Sequence, residues 1–441
     1  MPDVGSYLLI GAIAAVVTYV ATHVVRRLAP RLGWVYEPND RTMHRTVMPD
    51  VGGLAMFVGV IVAIVVAWTL DPFDAQFSSN SEPLGIVVAA SIVFATGFLD
   101  DVRELSPPAK VFGVVCAGAG LVWFGVVMFS FRLPYLETVV LSDDLQPLVT
   151  VFWLLGMTQA INLIDGLDGL AAGVVAIAAF SFFLYSVEIS DRGLLPEGNV
   201  GPLIAIIAAG VCVGFLPHNF NPARIIMGDG GALLLGLLMA VSTSVVGGRA
   251  DTIGNETIGS TYFFLAPIAI PLLILAVPIL DTAFAIARRA VSRKALAAAD
   301  KGHLHHRLLS LGHGHRRSVL ILWAWTALLS AFVLYPTLTE QNPSYLPFGI
   351  SAIGILLFTL LHPSVVERRR VNATPPGGIE RRQPDDADHT DDDGDGDTDR
   401  ESDRDSDRGA DHPAGASPEG GRTSHPPARS RDDVAASGVD H

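Results

Sequence analysis

Cysteine is nearly absent from this 441-residue chain. Cys116 and Cys212 are the two present, each inside an apolar run and far from the other, which excludes a disulfide framework and a thiolate metal site. Internal repeats are missing too. That argues against the two-halved architecture of many solute transporters, in which intramembrane carboxylates lie near the bilayer midplane. The leader "MPDVGS" has no basic residue, so the apolar run behind it lacks the charged front of a cleaved signal peptide. What the chain has in abundance is apolar sequence: half of its residues are hydrophobic.

The apolar residues gather into runs near the length that crosses a bilayer. Eleven can be marked: 6 to 25, 51 to 70, 84 to 99, 110 to 130, 147 to 163, 169 to 187, 200 to 216, 231 to 247, 262 to 287, 318 to 338 and 346 to 362. The expected fold class is an all-α polytopic membrane protein with about eleven transmembrane helices. Arg26, Arg27 and Arg31 follow the first run, which places the N-terminus outside. Alternation then makes 26 to 50, 100 to 110, 163 to 168, 217 to 230 and 288 to 317 cytoplasmic; these loops hold sixteen Lys or Arg, against three in the four internal outer loops up to residue 261. A missed or extra span would invert that bias in every later loop. The expected domains are a transmembrane catalytic unit, 1 to 362, and an acidic cytoplasmic tail, 363 to 441, with too few apolar residues to build a core and therefore expected to be disordered. From Val371 onward the tail has nineteen acids against eight bases, so most of the chain's net charge of −14 lies away from the apolar part.

Every unusual polar cluster falls in a loop of the cytoplasmic set. Asp100 and Asp101 end an apolar run in "FLDDVRELSPPAK"; paired carboxylates there can bind a divalent ion, or one can act as a base, while the alternative is a solvated helix end. In "INLIDGLDGLAAG", Asn162, Asp165 and Asp168 recur every three residues, so on a continuing helix they share about a third of its surface. A glycine-rich turn capped by aspartates is the plainer reading. "MGDGG" puts Asp229 in a glycine turn before a helix, where free N–H groups meet phosphate and a carboxylate can hold Mg²⁺. "HLHHR" supplies His303, His305, His306 and Arg307 as donors to phosphate oxygens; a zinc site or a basic loop on anionic lipid are the alternatives. Taken together, carboxylates, a phosphate-friendly turn and a His/Arg cluster on one face describe a Mg²⁺-dependent site for a phosphorylated substrate at the bilayer surface.

At these residues the chain resembles the polyprenyl-phosphate N-acetylhexosamine-1-phosphate transferases of glycosyltransferase family 4. Six segments carry the resemblance in family order: "RTMHRTVMPDVGG", "LDDVRELSPPAK", "NLIDGLDGL", "MGDGG", "PILDTAFAIARR" and "HLHHRLL". It implies a plasma-membrane enzyme with a cytoplasmic active site that converts UDP-GlcNAc and a polyprenyl phosphate to polyprenyl-diphospho-GlcNAc and UMP, for cell-envelope glycan synthesis. Mg²⁺ is the implied cofactor, with Mn²⁺ as a substitute, and nucleic acid is not an expected partner. A homodimer is also expected. By resemblance Asp229 and Asn162 match metal ligands, Asp100 and Asp101 the acidic pair near the nucleophile, with Asp100 as any base, and Lys110 a phosphate-facing lysine. Asp165 and Asp168 match nucleotide-pocket residues, and His303, His305, His306 and Arg307 diphosphate and sugar contacts. Two departures stand out: Ala232 where the family has serine, and Glu104 where a third aspartate is common. Phospho-MurNAc-pentapeptide transfer is the alternative reaction. A CDP-alcohol phosphotransferase is disfavoured because "DGLDGLAAG" lacks that family's arginine.

Overall fold

The computed structural model describes residues 2–36, 47–132, 138–247, 314–339 and 344–361. His303, His305, His306, Arg307, "PILDTAFAIARR" and the acidic tail lie outside them, as does the apolar run 262 to 287.

Helices occupy the other ten apolar runs. They are α1 (Val4–Leu32), α2 (Gly52–Trp68), α4 (Glu82–Arg103), α5 (Pro107–Trp123), α6 (Leu145–Ile164), α7 (Leu170–Asp191), α8 (Gly201–Asn219), α9 (Gly228–Gly247), α10 (His315–Leu338) and α11 (Leu346–Leu361). Seven are long and apolar enough to cross a membrane, and α2 with the short helical segment behind it, bent by 93° at a break, has the form of a broken span or a re-entrant loop. That segment contains the short α3 (Asp74–Ser78). The chain is therefore a polytopic, predominantly helical membrane protein.

Local chemistry sets the helix ends. Asp3 caps α1, its carboxylate accepting from the Gly5 N–H at 3.1 Å, and Gly33, at φ 74°, closes the other end by donating to the Ala29 carbonyl. Prolines occupy the first turns of α4, α5 and α8, where no intrahelical N–H is required. The run 110 to 130 is shorter as a helix than its hydropathy implies. α5 stops at Trp123, and Ser130–Arg132 pairs antiparallel with Thr138–Val140, because β-branched and aromatic residues suit extended backbone.

α9 is apolar on every side and buried along almost its whole length, surrounded by α2, α4, α6 and α8. Small residues let the helices approach. A Cβ on Gly214 would strike the backbone of Ala15 across the α1–α8 contact, and one on Gly236 would strike that of Thr158 across α6–α9. On the periphery, Val16, Val20 and Val24 of α1 and Ile350, Ile353 and Leu357 of α11 stay exposed, as side chains facing lipid do. From α1 to α9 the long helices alternate in direction. The ends of α1, α4, α6 and α8 thus meet the starts of α2, α5, α7 and α9 at one end of the bundle: Trp34 packs edge-on against Phe98 at 5.1 Å, and Arg316, at the start of α10, donates to the Asn221 carbonyl at 2.8 Å.

Candidate active site

That shared end collects the polar motifs. Pro49–Gly53 runs alongside Ile226–Met227 through three backbone bonds: Ile226 N–H to the Pro49 carbonyl at 2.9 Å, Gly52 N–H to Ile226 at 3.0 Å and Gly53 N–H to Met227 at 2.8 Å. The "PDVGG" and "MGDGG" segments are thereby laid against each other. Gly228 takes φ 71°, a left-handed conformation suited to glycine, and a Cβ there would lie 2.6 Å from Asp101 Oδ2. The absence of side chains allows α4, α2 and the first turn of α9 to touch through backbone.

Asp101 uses that proximity to cap α9. Its carboxylate accepts from the Asp229 N–H at 2.6 Å and the Gly230 N–H at 3.0 Å, satisfying two orphan donors at the positive end of the helix dipole. Asp100 accepts from the Leu105 N–H at 2.7 Å through Oδ1, and its Oδ2 lies 2.6 Å from Lys110 Nζ. The same ammonium bonds Asp229 Oδ2, and the Asn162 amide donates to that oxygen at 3.4 Å. One carboxylate oxygen from each of Asp100, Asp101 and Asp229 lies within 4.8 Å of the others. The sequence separated an acidic pair from a metal aspartate; the fold makes one cluster of them.

The Asn/Asp motif departs from the helical reading. α6 stops at Ile164 and α7 begins at Leu170, so Asn162, Asp165 and Asp168 do not share one helix face. The intervening glycines prefer a turn, and Gly169 sits at φ 77°. Asn162 turns to Asp229. Asp168 is buried and faces elsewhere, accepting from the Asn221 amide at 2.8 Å and the Ala223 N–H at 3.0 Å, which pins the loop between α8 and α9. Its contacts give it a structural task in addition to the nucleotide role implied by resemblance. Glu104 lies outside the carboxylate cluster, exposed in the left-handed residue that ends α4 at φ 49°; Ala232 is buried on α9, just past its first turn.

Asp50 escaped the sequence reading. The motif around it was legible, but nothing in the spacing distinguished its carboxylate from a loop acid. In the fold its Oδ1 is buried without a hydrogen-bond partner. Loss of hydration, reinforced by Asp229 and Asp100, pushes its carboxyl up to about 7. Asp165, just beyond α6, is pushed up to about 8 by desolvation first and then by Asp50, Asp229 and Asp168. An acid shortly before a Gly-Gly pair, "DVGG" beside the "DGG" of "MGDGG", was the available signal for Asp50.

Oxygen donors crowded at 4.8 Å, with an orphaned carboxylate oxygen beside them, fit a hard divalent ion such as Mg²⁺. A soft-metal set is absent among the described residues at this end.

The pattern for Glycosyl transferase family 4 matches residues 83–247, spanning α4 to α9 and hence most of the cluster. The decaprenyl-phosphate N-acetylglucosaminephosphotransferase of Mycobacterium tuberculosis is 37% identical over 331 residues, covering 73% of this chain and 80% of that protein. A probable undecaprenyl-phosphate N-acetylglucosaminyl 1-phosphate transferase of Bacillus subtilis is 36% identical over 306 residues, covering 69% and 77%. A phospho-N-acetylmuramoyl-pentapeptide-transferase of Mycolicibacterium vanbaalenii matches less of the chain, at 31% identity over 52% of it and 73% of the relative. Similarity of that extent, running through the residues that build the carboxylate cluster, means that the chain belongs to glycosyl transferase family 4, among the polyprenyl-phosphate N-acetylglucosamine-1-phosphate transferases.

Proposed function

We propose that this protein transfers N-acetylglucosamine 1-phosphate from UDP-GlcNAc to a polyprenyl phosphate, releasing UMP, at the cytoplasmic face of the plasma membrane. The observation that carries the reading is the Asp100–Asp101–Asp229 cluster with Lys110, held at the start of a helix in the middle of a lipid-facing bundle. A lipid substrate has to approach from the bilayer and a nucleotide from water, and a cluster at the bundle's end is reachable from both. The basic bias of the loops at this end supports the cytoplasmic side. The reading keeps eleven spans and a catalytic unit of residues 1 to 362.

In this reading the lipid phosphate attacks the β-phosphorus of the sugar nucleotide and UMP leaves. Asp229 and Asn162 would hold Mg²⁺, with Asp100 close by and Asp101 fixing the turn that bears Asp229. When bound, the ion would supply charge screening between an anionic nucleophile and an anionic diphosphate. Lys110 adds a positive charge toward the phosphates, Asp100 serves any proton transfer, and Asp165 and Asp168 border the nucleotide. His303, His305, His306 and Arg307 keep the diphosphate and sugar role that their resemblance implies; Leu304 divides the histidines and Arg307 adds a two-pronged phosphate donor, which supports a small N-acetylhexosamine over a peptide-bearing sugar.

Membranes containing the protein, supplied with polyprenyl phosphate and labelled UDP-GlcNAc, should form a labelled diphospholipid and UMP only with Mg²⁺ or Mn²⁺ present. UDP-MurNAc-pentapeptide should give no product. Asp229→Asn and Asp100→Asn should each lower turnover by about a hundredfold or more with the protein still in the membrane. Turnover of the pentapeptide donor in place of UDP-GlcNAc overturns the assignment.

A further inference from the structure

The carboxylate cluster already contains a cation. Asp100 Oδ1 is held by the Leu105 N–H, and both oxygens of Asp101 are held by N–H groups of α9. Among the oxygens that no backbone N–H holds, Asp100 Oδ2 and Asp229 Oδ2 are both taken by Lys110 Nζ. A divalent ion bound to either needs an oxygen at about 2.1 Å, which would bring it nearly into contact with the ammonium. Two cations at that separation, inside a half-buried site, repel strongly. Ammonium and ion therefore compete for the same carboxylates.

We infer that Lys110 is a displaceable occupant of the divalent-ion position: it neutralises Asp100 and Asp229 while the site is empty of metal, and ion entry frees its ammonium to meet the incoming phosphates. This rests on the reading above that a divalent ion binds at Asp229. The physical means are present. Lys110 sits in the first turn of α5 on a flexible four-carbon stem, with about a quarter of its side chain still exposed, so its head can leave for water without moving the helix. Asp101 makes no bond to Lys110, and its ties to the α9 backbone do not depend on which cation is bound. The scaffold can thus stay fixed while the charge is exchanged. The consequence is an order of events: the ion loads first, and a lysine that was tied up in the empty site then becomes available to the diphosphate.

The test is Mn²⁺ binding by the purified full-length protein in detergent, followed by electron paramagnetic resonance, for the unaltered chain, Lys110→Met, Lys110→Arg and Asp229→Asn. Lys110→Met should bind Mn²⁺ about tenfold tighter or more, since a competing charge is gone, even though transfer activity falls. Lys110→Arg, which keeps the charge, should bind no more tightly than the unaltered protein. Thermal unfolding gives a second readout: without metal, Lys110→Met should melt lower than the unaltered protein, and Mn²⁺ should raise its midpoint by more. Equal or weaker Mn²⁺ binding by Lys110→Met overturns the displacement. Binding left unchanged by Asp229→Asn would instead overturn the location of the ion, so the two failures are distinct.

Discussion

Gly97→Ala is the substitution through which the architecture of this site can be tested most directly. Gly97 lies one turn before Asp101 on α4, and a Cβ there would sit 2.5 Å from both Cα and N of Gly230 and 2.6 Å from the carbonyl carbon of Asp229. Ordinary contacts of a Cβ begin at 3.4 Å, and the obstructing atoms are all backbone, so no side chain can rotate away. The helices must part by about 1 Å, at an overpacking cost of about 1–3 kcal/mol. The same shift would lengthen the Asp101 bonds to the Asp229 and Gly230 N–H groups, now 2.6 and 3.0 Å, to or beyond the limit of useful hydrogen bonding. Displacement of that size between catalytic groups lowers turnover by about a hundredfold. Gly120→Ala is the control: a Cβ there meets nothing within 4 Å, and relief of glycine's flexibility in α5 should stabilise by about 0.5–1 kcal/mol without touching activity. The assay is turnover of UDP-GlcNAc in detergent, normalised to folded protein from thermal melts. Full activity and an unchanged melting midpoint for Gly97→Ala would refute the claim that backbone contact between α4 and α9 sets the site.

Three further outcomes follow from particular groups. Asp50 and Asp165 carry protons in the metal-free fold up to about pH 7 and 8, well above the ordinary 3.8, so the native state binds more protons than the unfolded chain across that window. Stability of the metal-free protein should therefore fall as pH rises from about 5 to 8, and Mg²⁺ should restore most at the alkaline end; a flat melting profile in chelator would contradict this. Asp168→Ala strands the Asn221 amide and the Ala223 N–H and should cost roughly 2–3 kcal/mol, seen as a lower Tm, whereas Asp168→Asn should be milder. A normal Tm with a raised KM for the sugar nucleotide would return Asp168 to nucleotide binding alone. Truncation after about residue 372 should leave specific activity in membranes intact, because no motif residue lies beyond it and the segment is too polar to form a core; equal expression with lost activity would contradict that.

The sequence by itself determined the things that depend on composition and local chemistry. Apolar runs of spanning length can be satisfied in a bilayer only by helices, and prolines and glycines at their edges announce where each begins or ends. The charge bias of the loops put Asp100, Asn162 and Asp229 on one side before any contact was known. Tertiary structure decided what each of those side chains does there. Asp101 looks like the twin of Asp100, yet one caps α9 and the other holds Lys110, since a one-residue step along a helix turns a side chain by about 100°. Asn162, Asp165 and Asp168 look like a helical stripe, but glycines bend the chain between them and send Asp168 to the α8–α9 loop. Asp50 reads as a loop acid until three backbone bonds lay its segment beside Ile226 and Met227. Each of these outcomes depends on contacts made across long stretches of chain, such as the 128 residues separating Asp101 from Asp229, and spacing along one strand of sequence contains no information about which distant backbone will fill the gap a glycine leaves.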